Sequence, residues 1–255
     1  VDMTKTIDIN CDMGESFGRF NVGQDEALMP YISSCNLACG FHGGDPYTLM
    51  KTIELAVEHH VNIGAHPSYF NLRGFGREPM SVPNEVLKSD LIYQISALSG
   101  MANTFGKQLS YVKAHGYLYH QVNEVPALAE LFLQAVSSLQ LGLAIMGRPN
   151  SPLERLCHGQ QVTFIREGFL DRAYGQDGKL LPRSQTCSVH HSLPSILAQL
   201  ENILRQEQVK LPDGTNLPLK IDSLCIHGDH PMAVEIAKSV QEHLAKWDIQ
   251  AKPSL

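Results

Sequence analysis

The chain has 255 residues, of which 43% are apolar and 18% charged. That apolar content excludes a disordered chain, and the length excludes a miniprotein dependent on disulfides. A net charge of -6, from 20 basic and 26 acidic residues, argues against nucleic acid or an anionic membrane as the partner.

In chain order, residues 6–11 (TIDINC) alternate as a short strand, and 35–39 (CNLAC) form a second. Residues 46–60 predict a helix, with Asp45 placed to cap it, Pro46 in its first turn and Leu49, Ile53, Ala56 and Val57 at helical spacing. Residues 61–65 form a third strand, followed by a loop from His66 to about Met80. Residues 84–105 are the clearest helix, with Leu87, Leu91, Ile95, Leu98, Ala102 and Phe105 on one face and Gly106 to end it. Strand patterns at 109–114, 142–146, 162–166 and 221–226 then alternate with helical patterns at 127–139, 193–207 and 231–246. Residues 168–188 read as a polar, glycine-containing loop.

About seven short strands alternating with helices predict an α/β parallel sheet. No linker, repeat or low-complexity tract interrupts residues 1–255, so the expectation is one domain. Val1 and Asp2, ahead of Met3, read as a cloning remnant. The six cysteines contain no CxxC pair, and Cys35 and Cys39 fit small buried hydrophobes of a reducing compartment. No signal-peptide pattern is visible, and no apolar run approaches the roughly 20 residues of a membrane helix. A cytoplasmic protein is expected.

The polar residues choose between a barrel and an open sheet. Asn10, Asp12 and Glu15 follow the first strand, and His42 and Asp45 the second. His66 follows the third, while the fourth carries Lys113 and leads into His115. The sixth leads into Arg166, Glu167, Asp171 and Arg172, and the last into His227, Asp229 and His230. A closed β/α barrel gathers all these ends at one mouth, where barrel enzymes place their sites, whereas an open sheet scatters them. Other chemistries lack their signatures. GMANTFGKQ at 100–108 has the wrong glycine spacing, lacks Ser or Thr after Lys107 and ends a helix, so it is no phosphate loop. No GxGxxG follows a strand, and neither HExxH nor GxSxG occurs.

Seven motifs in register resemble the LamB/YcsF family, the A subunits of bacterial ATP-dependent 5-oxoprolinase. They are IDINCDMGESFG (7–18), NLACGFHGGDP (36–46), IGAHPSY (63–69), GFGRE (74–78), YVKAHGYLYH (111–120), DRAYGQDGKLLPRS (171–184) and CIHGDHP (225–231). The family usually has Pro where Ala114 stands and often Asn where His120 stands; Lys113 and His115 are retained. The resemblance implies a single-domain seven-stranded (β/α) barrel related to glycoside hydrolase and deacetylase barrels. It also implies cleavage of 5-oxo-L-proline to L-glutamate, with ATP consumed in a complex with partner subunits B and C.

Ring opening needs a base, a water and donors for the developing oxyanion. Asp12 is the base candidate, and Glu15 either replaces or orients it. Lys113 fits oxyanion or acyl-phosphate stabilisation, and His115 a proton shuttle. Asn10, His42, His66, His227 and Asp229 are candidate substrate contacts. The substrate carboxylate calls for an arginine, and among Arg77, Arg172 and Arg183 the first choice is Arg172, oriented by Asp171. Related deacetylase barrels hold a divalent cation with one Asp and two His, a set that Asp12, His42 and His66 could imitate. Of the other histidines, His59, His60, His158, His190, His191 and His243 read as surface or capping residues, and His230, next to the site, is given no role. Two other readings stay open: a free-standing metal-dependent amide hydrolase or deacetylase, and a non-catalytic subunit that binds 5-oxoproline.

Overall fold

The computed structural model describes residues 5–255, so the expected remnant at residues 1–2 lies outside the described residues. Its elements run β1 (Lys5–Met13), α1 (Asp25–Leu28), β2 (Ser34–Ala38), α2 (Pro46–Glu58), β3 (Asn62–His66) and α3 (Asn84–Asn103). There follow β4 (Tyr111–Lys113), α4 (Gly116–Glu124), α5 (Pro126–Ser138), β5 (Ala144–Gly147), α6 (Pro152–Gly159) and β6 (Phe164–Phe169). The chain closes with α7 (Leu193–Gln206), β7 (Gln208–Lys210), β8 (Asn216–Pro218), β9 (Ser223–Ile226), α8 (Ala233–Lys246) and β10 (Ile249–Ala251).

Strands β1 to β6 and β9 pair in order, and β9 pairs back with β1, closing a parallel barrel of the expected seven strands. Strand β10 adds to the outer start of β1, pairing Lys5 with Ile249 before β9 takes over at Asp8. Strands β7 and β8 form a separate antiparallel hairpin. Closure removes the sheet edges and gathers the C-terminal strand ends into one mouth. None of the described helices is long and apolar enough to cross a membrane.

The period of two along each strand divides the core. Ile7, Ile9, Cys11 and Met13 of β1 join the large apolar cluster that includes residues of the surrounding helices. The alternate residues Asp8, Asn10 and Asp12 face the barrel interior, where they meet Ser34, Asn36, Lys113 and Ser223. Tyr111, Ala144, Met146 and Ile165 form a separate small apolar cluster. One flank of the interior is therefore polar and the other apolar. Gly64 lies beside Tyr111, and a Cβ there would overlap the tyrosine ring.

The predicted helices match α2, α3, α5, α7 and α8 closely, although α8 starts at Ala233, after Pro231, where the predicted helix begins. Asp45 caps α2 as expected, accepting from the Tyr47 and Thr48 amides. Helices α4 and α6 are absent from the sequence pattern. Helix α4 starts without a side-chain cap, and the eight residues of α6 are started by Ser151, which accepts from the Glu154 amide.

Candidate active site

Strand β1 carries Asp12 to the barrel mouth, and β4 brings Lys113 across from it. The Lys113 Nζ lies 2.9 Å from Asp12 Oδ1 and 2.7 Å from Glu167 Oε1, with Asn10 Oδ1 and Cys225 Sγ each at 3.4 Å. The Asn36 amide donates to both Asn10 Oδ1 and Asp12 Oδ1, at 2.8 Å each. Burial would push the Asp12 carboxyl up, but His66 and Lys113 outweigh it and hold it well below the usual range. Burial opposes the Lys113 charge in the same way, yet Asp12, Cys225 and Glu167 raise its pKa well above the ordinary value. The centre thus holds a fixed ammonium between carboxylates. The loop after β1 is tied by Gly14, whose N–H donates to Asp25 on α1, and by Gly43, whose missing Cβ leaves room for the Glu15 backbone.

Beside this centre, Glu15, His42, His66 and His115 are all buried and present ligand-type atoms within 4.8 Å of one another. The His66 Nε2 is 2.9 Å from His115 Nδ1, and His42 Nε2 is 3.1 Å from Glu15 Oε1. The His42 and His115 rings stack with centroids 3.6 Å apart. Burial, reinforced by the neighbouring histidines, pushes the pKa values of His42 and His115 well down. Burial and the charge of Asp12 push the Glu15 carboxyl well up. Chemically this donor set suits a divalent metal ion. It contains Glu15 and His115 in addition to the expected His42 and His66, while Asp12 Oδ1, bonded to Lys113 and Asn36, lies at its edge, 3.4 Å from His66 Nε2.

A cavity of about 770 Å³ opens above, lined by Asp12, His66, Lys113, His115 and His227 and also by Arg77, Arg172, Arg183 and His120. Asp171 accepts from His227 Nδ1 at 2.8 Å, and Phe169 stacks on the His227 ring. Asp171 therefore orients His227, not Arg172 as expected from their adjacency. The Arg172 guanidinium donates to the Leu181 and Ser188 carbonyls. Burial, with Arg183 nearby, lowers its pKa to about 10, so it stays cationic. Arg77 forms a 2.7 Å ion pair with Asp229 and lies over the Phe75 ring.

Residues 7–255 match the LamB/YcsF family. The chain is 41% identical over 239 residues to the A subunit of 5-oxoprolinase from Bordetella pertussis, covering 94% of this chain and 95% of the relative. It is also 41% identical to the corresponding 5-oxoprolinase chain of Vibrio cholerae, over 94% of this chain and 98% of that one. The crystal structure of a lactam utilization protein from Thermus thermophilus superposes with a TM-score of 0.91 at 35% identity, covering 97% of this chain and 99% of the other. The chain belongs to the LamB/YcsF family.

In this LamB/YcsF barrel, the candidates Asp12, His66, Arg77, Lys113, His115, Arg172 and His227 line one cavity. Asn10, Glu15 and His42 lie behind them, with Asn10 bonded to Ser223, Asn36 and Lys113. Asp229 reaches the cavity wall only through Arg77. His120, where the family often has Asn, lines the same cavity. His59, His60, His158 and His191 are exposed. His243 bonds the Ser239 carbonyl, and His190 is 3.1 Å from Gln199. Sequence reasoning gives no role to Glu167, Asn36 or Ser68. Glu167 directly follows the predicted strand 162–166 and is counted there among the strand-end polar residues, without a role of its own. Nothing local distinguishes Asn36 or Ser68 from other buried polar residues.

Proposed function

We propose that this chain is the ring-opening component of an ATP-dependent 5-oxoprolinase, which cleaves the lactam of 5-oxo-L-proline to L-glutamate with partner subunits B and C that handle ATP. The observation that carries this reading is the Lys113 ammonium held between Asp12 and Glu167 beneath the cavity. The names of the two 5-oxoprolinase relatives and the lactam utilization protein agree with it.

Asp12, kept ionised, accepts a proton from the water that attacks the lactam carbonyl carbon. Lys113 opposes the negative charge on the phosphorylated carbonyl oxygen; breaking the C–N bond leaves γ-glutamyl phosphate, and its hydrolysis by a second water releases glutamate and inorganic phosphate. A carboxylate held so far below its usual range is a weak base. It is adequate for an amide already activated by ATP-derived phosphoryl transfer and poor for a resting lactam, which supports the coupled reaction. The ring nitrogen must gain a proton as the C–N bond breaks. His227 fits this step better than His115, because its Nδ1 is bonded to Asp171 and its ring lines the cavity. Both His115 nitrogens already face partners, His66 and the Phe75 carbonyl. Arg172, bonded only to backbone carbonyls, receives the substrate carboxylate. Six free cysteines, five of them buried, support a reducing cytoplasmic setting.

The test is glutamate release from 5-oxo-L-proline and ATP by the B and C subunits, with and without this chain. Release should require the chain and should fall in an Asp12→Asn complex. An unchanged rate in that variant would leave the chain a role in binding only. The buried Glu/His cluster favours a second reading, a free-standing metal-dependent amide hydrolase. Turnover by the chain alone, without ATP, would establish that alternative.

A further inference from the structure

Hydrogen bonding in the histidine cluster fixes the outward proton of each ring. The His66 Nδ1 is 2.8 Å from the Lys113 carbonyl, and His115 Nε2 is 2.8 Å from the Phe75 carbonyl. A carbonyl only accepts, so both nitrogens carry hydrogen. The Ser68 hydroxyl donates to the Tyr69 carbonyl, so it accepts from His42 Nδ1 at 3.0 Å. Each outward nitrogen is therefore an N–H locked to an acceptor. In neutral imidazoles, the inward nitrogens His42 Nε2, His66 Nε2 and His115 Nδ1 are bare lone pairs.

These lone pairs converge on one another and on Glu15, and His66 Nε2 also lies 3.4 Å from Asp12 Oδ1, which Lys113 holds. His66 Nε2 faces His115 Nδ1 at 2.9 Å, and Glu15 Oε1 is 3.1 Å from His42 Nε2 and 3.6 Å from His115 Nδ1. Four acceptors at such separations repel unless something positive lies among them. A tetrahedral ion with bonds of about 2.1 Å spaces its ligand atoms about 3.4 Å apart, which is the scale of these contacts. Outward N–H groups bound to acceptors also fix the tautomer and aim of metal-ligating histidines.

We propose that Glu15, His42, His66 and His115 bind one divalent ion of the zinc class. Three imidazoles and one carboxylate favour such an ion over magnesium or calcium, which prefer all-oxygen sites. His66 and His115 line the cavity, so the ion lies between its floor and the buried Glu15 and His42. Ser68 is a positioning residue that holds His42. The site stands whether or not the chain opens a lactam.

The test uses the untagged full chain, purified without chelator, dialysed against Zn²⁺ or Co²⁺ and desalted. The expected result is one ion per chain and, with Co²⁺, intense visible bands of tetrahedral coordination. Glu15→Gln and His42→Asn should lose these bands, while the exposed His59→Ala should keep them. Ser68→Ala retains all four ligands and should weaken Zn²⁺ binding about 10–100-fold, so it decides the matter even if a ligand variant fails to fold. Folded wild type without a retained ion would overturn the site, leaving one proton between His66 and His115 and another on Glu15. Bands that survive Glu15→Gln, or Zn²⁺ affinity unchanged by Ser68→Ala, would also overturn it.

Discussion

Asp8 and Asp12 share one face of β1, and both are buried in the barrel, yet their surroundings differ in kind. Among the described residues, Asp8 accepts only from hydroxyls: Ser33 at 2.6 Å, Ser34 at 2.7 Å, and Ser223. Burial pushes its carboxyl up despite these bonds. Asp12 faces the Lys113 ammonium and His66, which hold its carboxyl well down. Hydroxyl groups can rotate to serve either protonation state, whereas an ammonium favours only the anion. The inner carboxylate therefore stitches β1 to β2 and β9, and the outer one stores a charge. The same residue type on the same strand becomes structural or chemical according to its donors.

The largest break in this contrast should come from Lys113→Met, which leaves Asp12 and Glu167 facing each other without a counter-ion. Glutamate release by the complex proposed above should fall about a thousandfold. Stability in urea should drop by about 3 kcal/mol, the cost of breaking a buried pair from one side. Asp12→Asn should lower turnover about a hundredfold, whereas Asp8→Asn should leave it within about twofold. Steady-state rates of both variants decide this, and similar losses at the two positions would erase the distinction between them.

Alternation at 6–11 and the short strand segments at 35–39 and 61–65 are enough to place β1 to β3, because barrel strands between interior and helices show period two or continuous burial. The strand-end rule then collects Asp12, His66, Lys113, His115 and His227, which the structure does bring to one cavity. Pairings across the barrel are not legible. Lys113 meets Glu167 and Asp12 because β4, β6 and β1 face one another after closure, and no local signal states which ends face. For the same reason adjacency points Asp171 to Arg172, whereas in the fold it serves His227. Short elements such as α6 and β10 escape the sequence pattern because each depends on one cap or one neighbouring strand, not on a periodic face.

A smaller effect should follow from Gly64→Ala. The added methyl would overlap the Tyr111 ring, whose hydroxyl donates to Asn36 Oδ1 at 2.6 Å. Asn36 in turn donates to Asp12 but not to Asp8. Overpacking should cost about 2 kcal/mol in urea unfolding. It should also lower turnover more than an equally destabilising change near Asp8, such as Ser33→Ala. Equal activity in the two variants would show that tyrosine placement does not reach Asp12.

The smallest effect is a change in the pH dependence of stability. The folded pKa of Asp8 lies above its ordinary 3.8, because burial outweighs its three hydroxyl donors. Between those two pKa values the folded chain binds a proton that the unfolded chain has released. The Asp8 contribution is thus fully present below pH 3.8 and is lost as pH rises through the folded pKa. Asp8→Asn lacks this term. The stability of the variant minus that of the wild type should therefore climb as pH rises from 3.8, by at most about 1.4 kcal/mol per pH unit, and then level off. Urea titrations of both proteins across that range measure the difference. A difference that instead falls with pH would mean that Asp8 is held ionised in the fold, and the two carboxylates of β1 would then be alike.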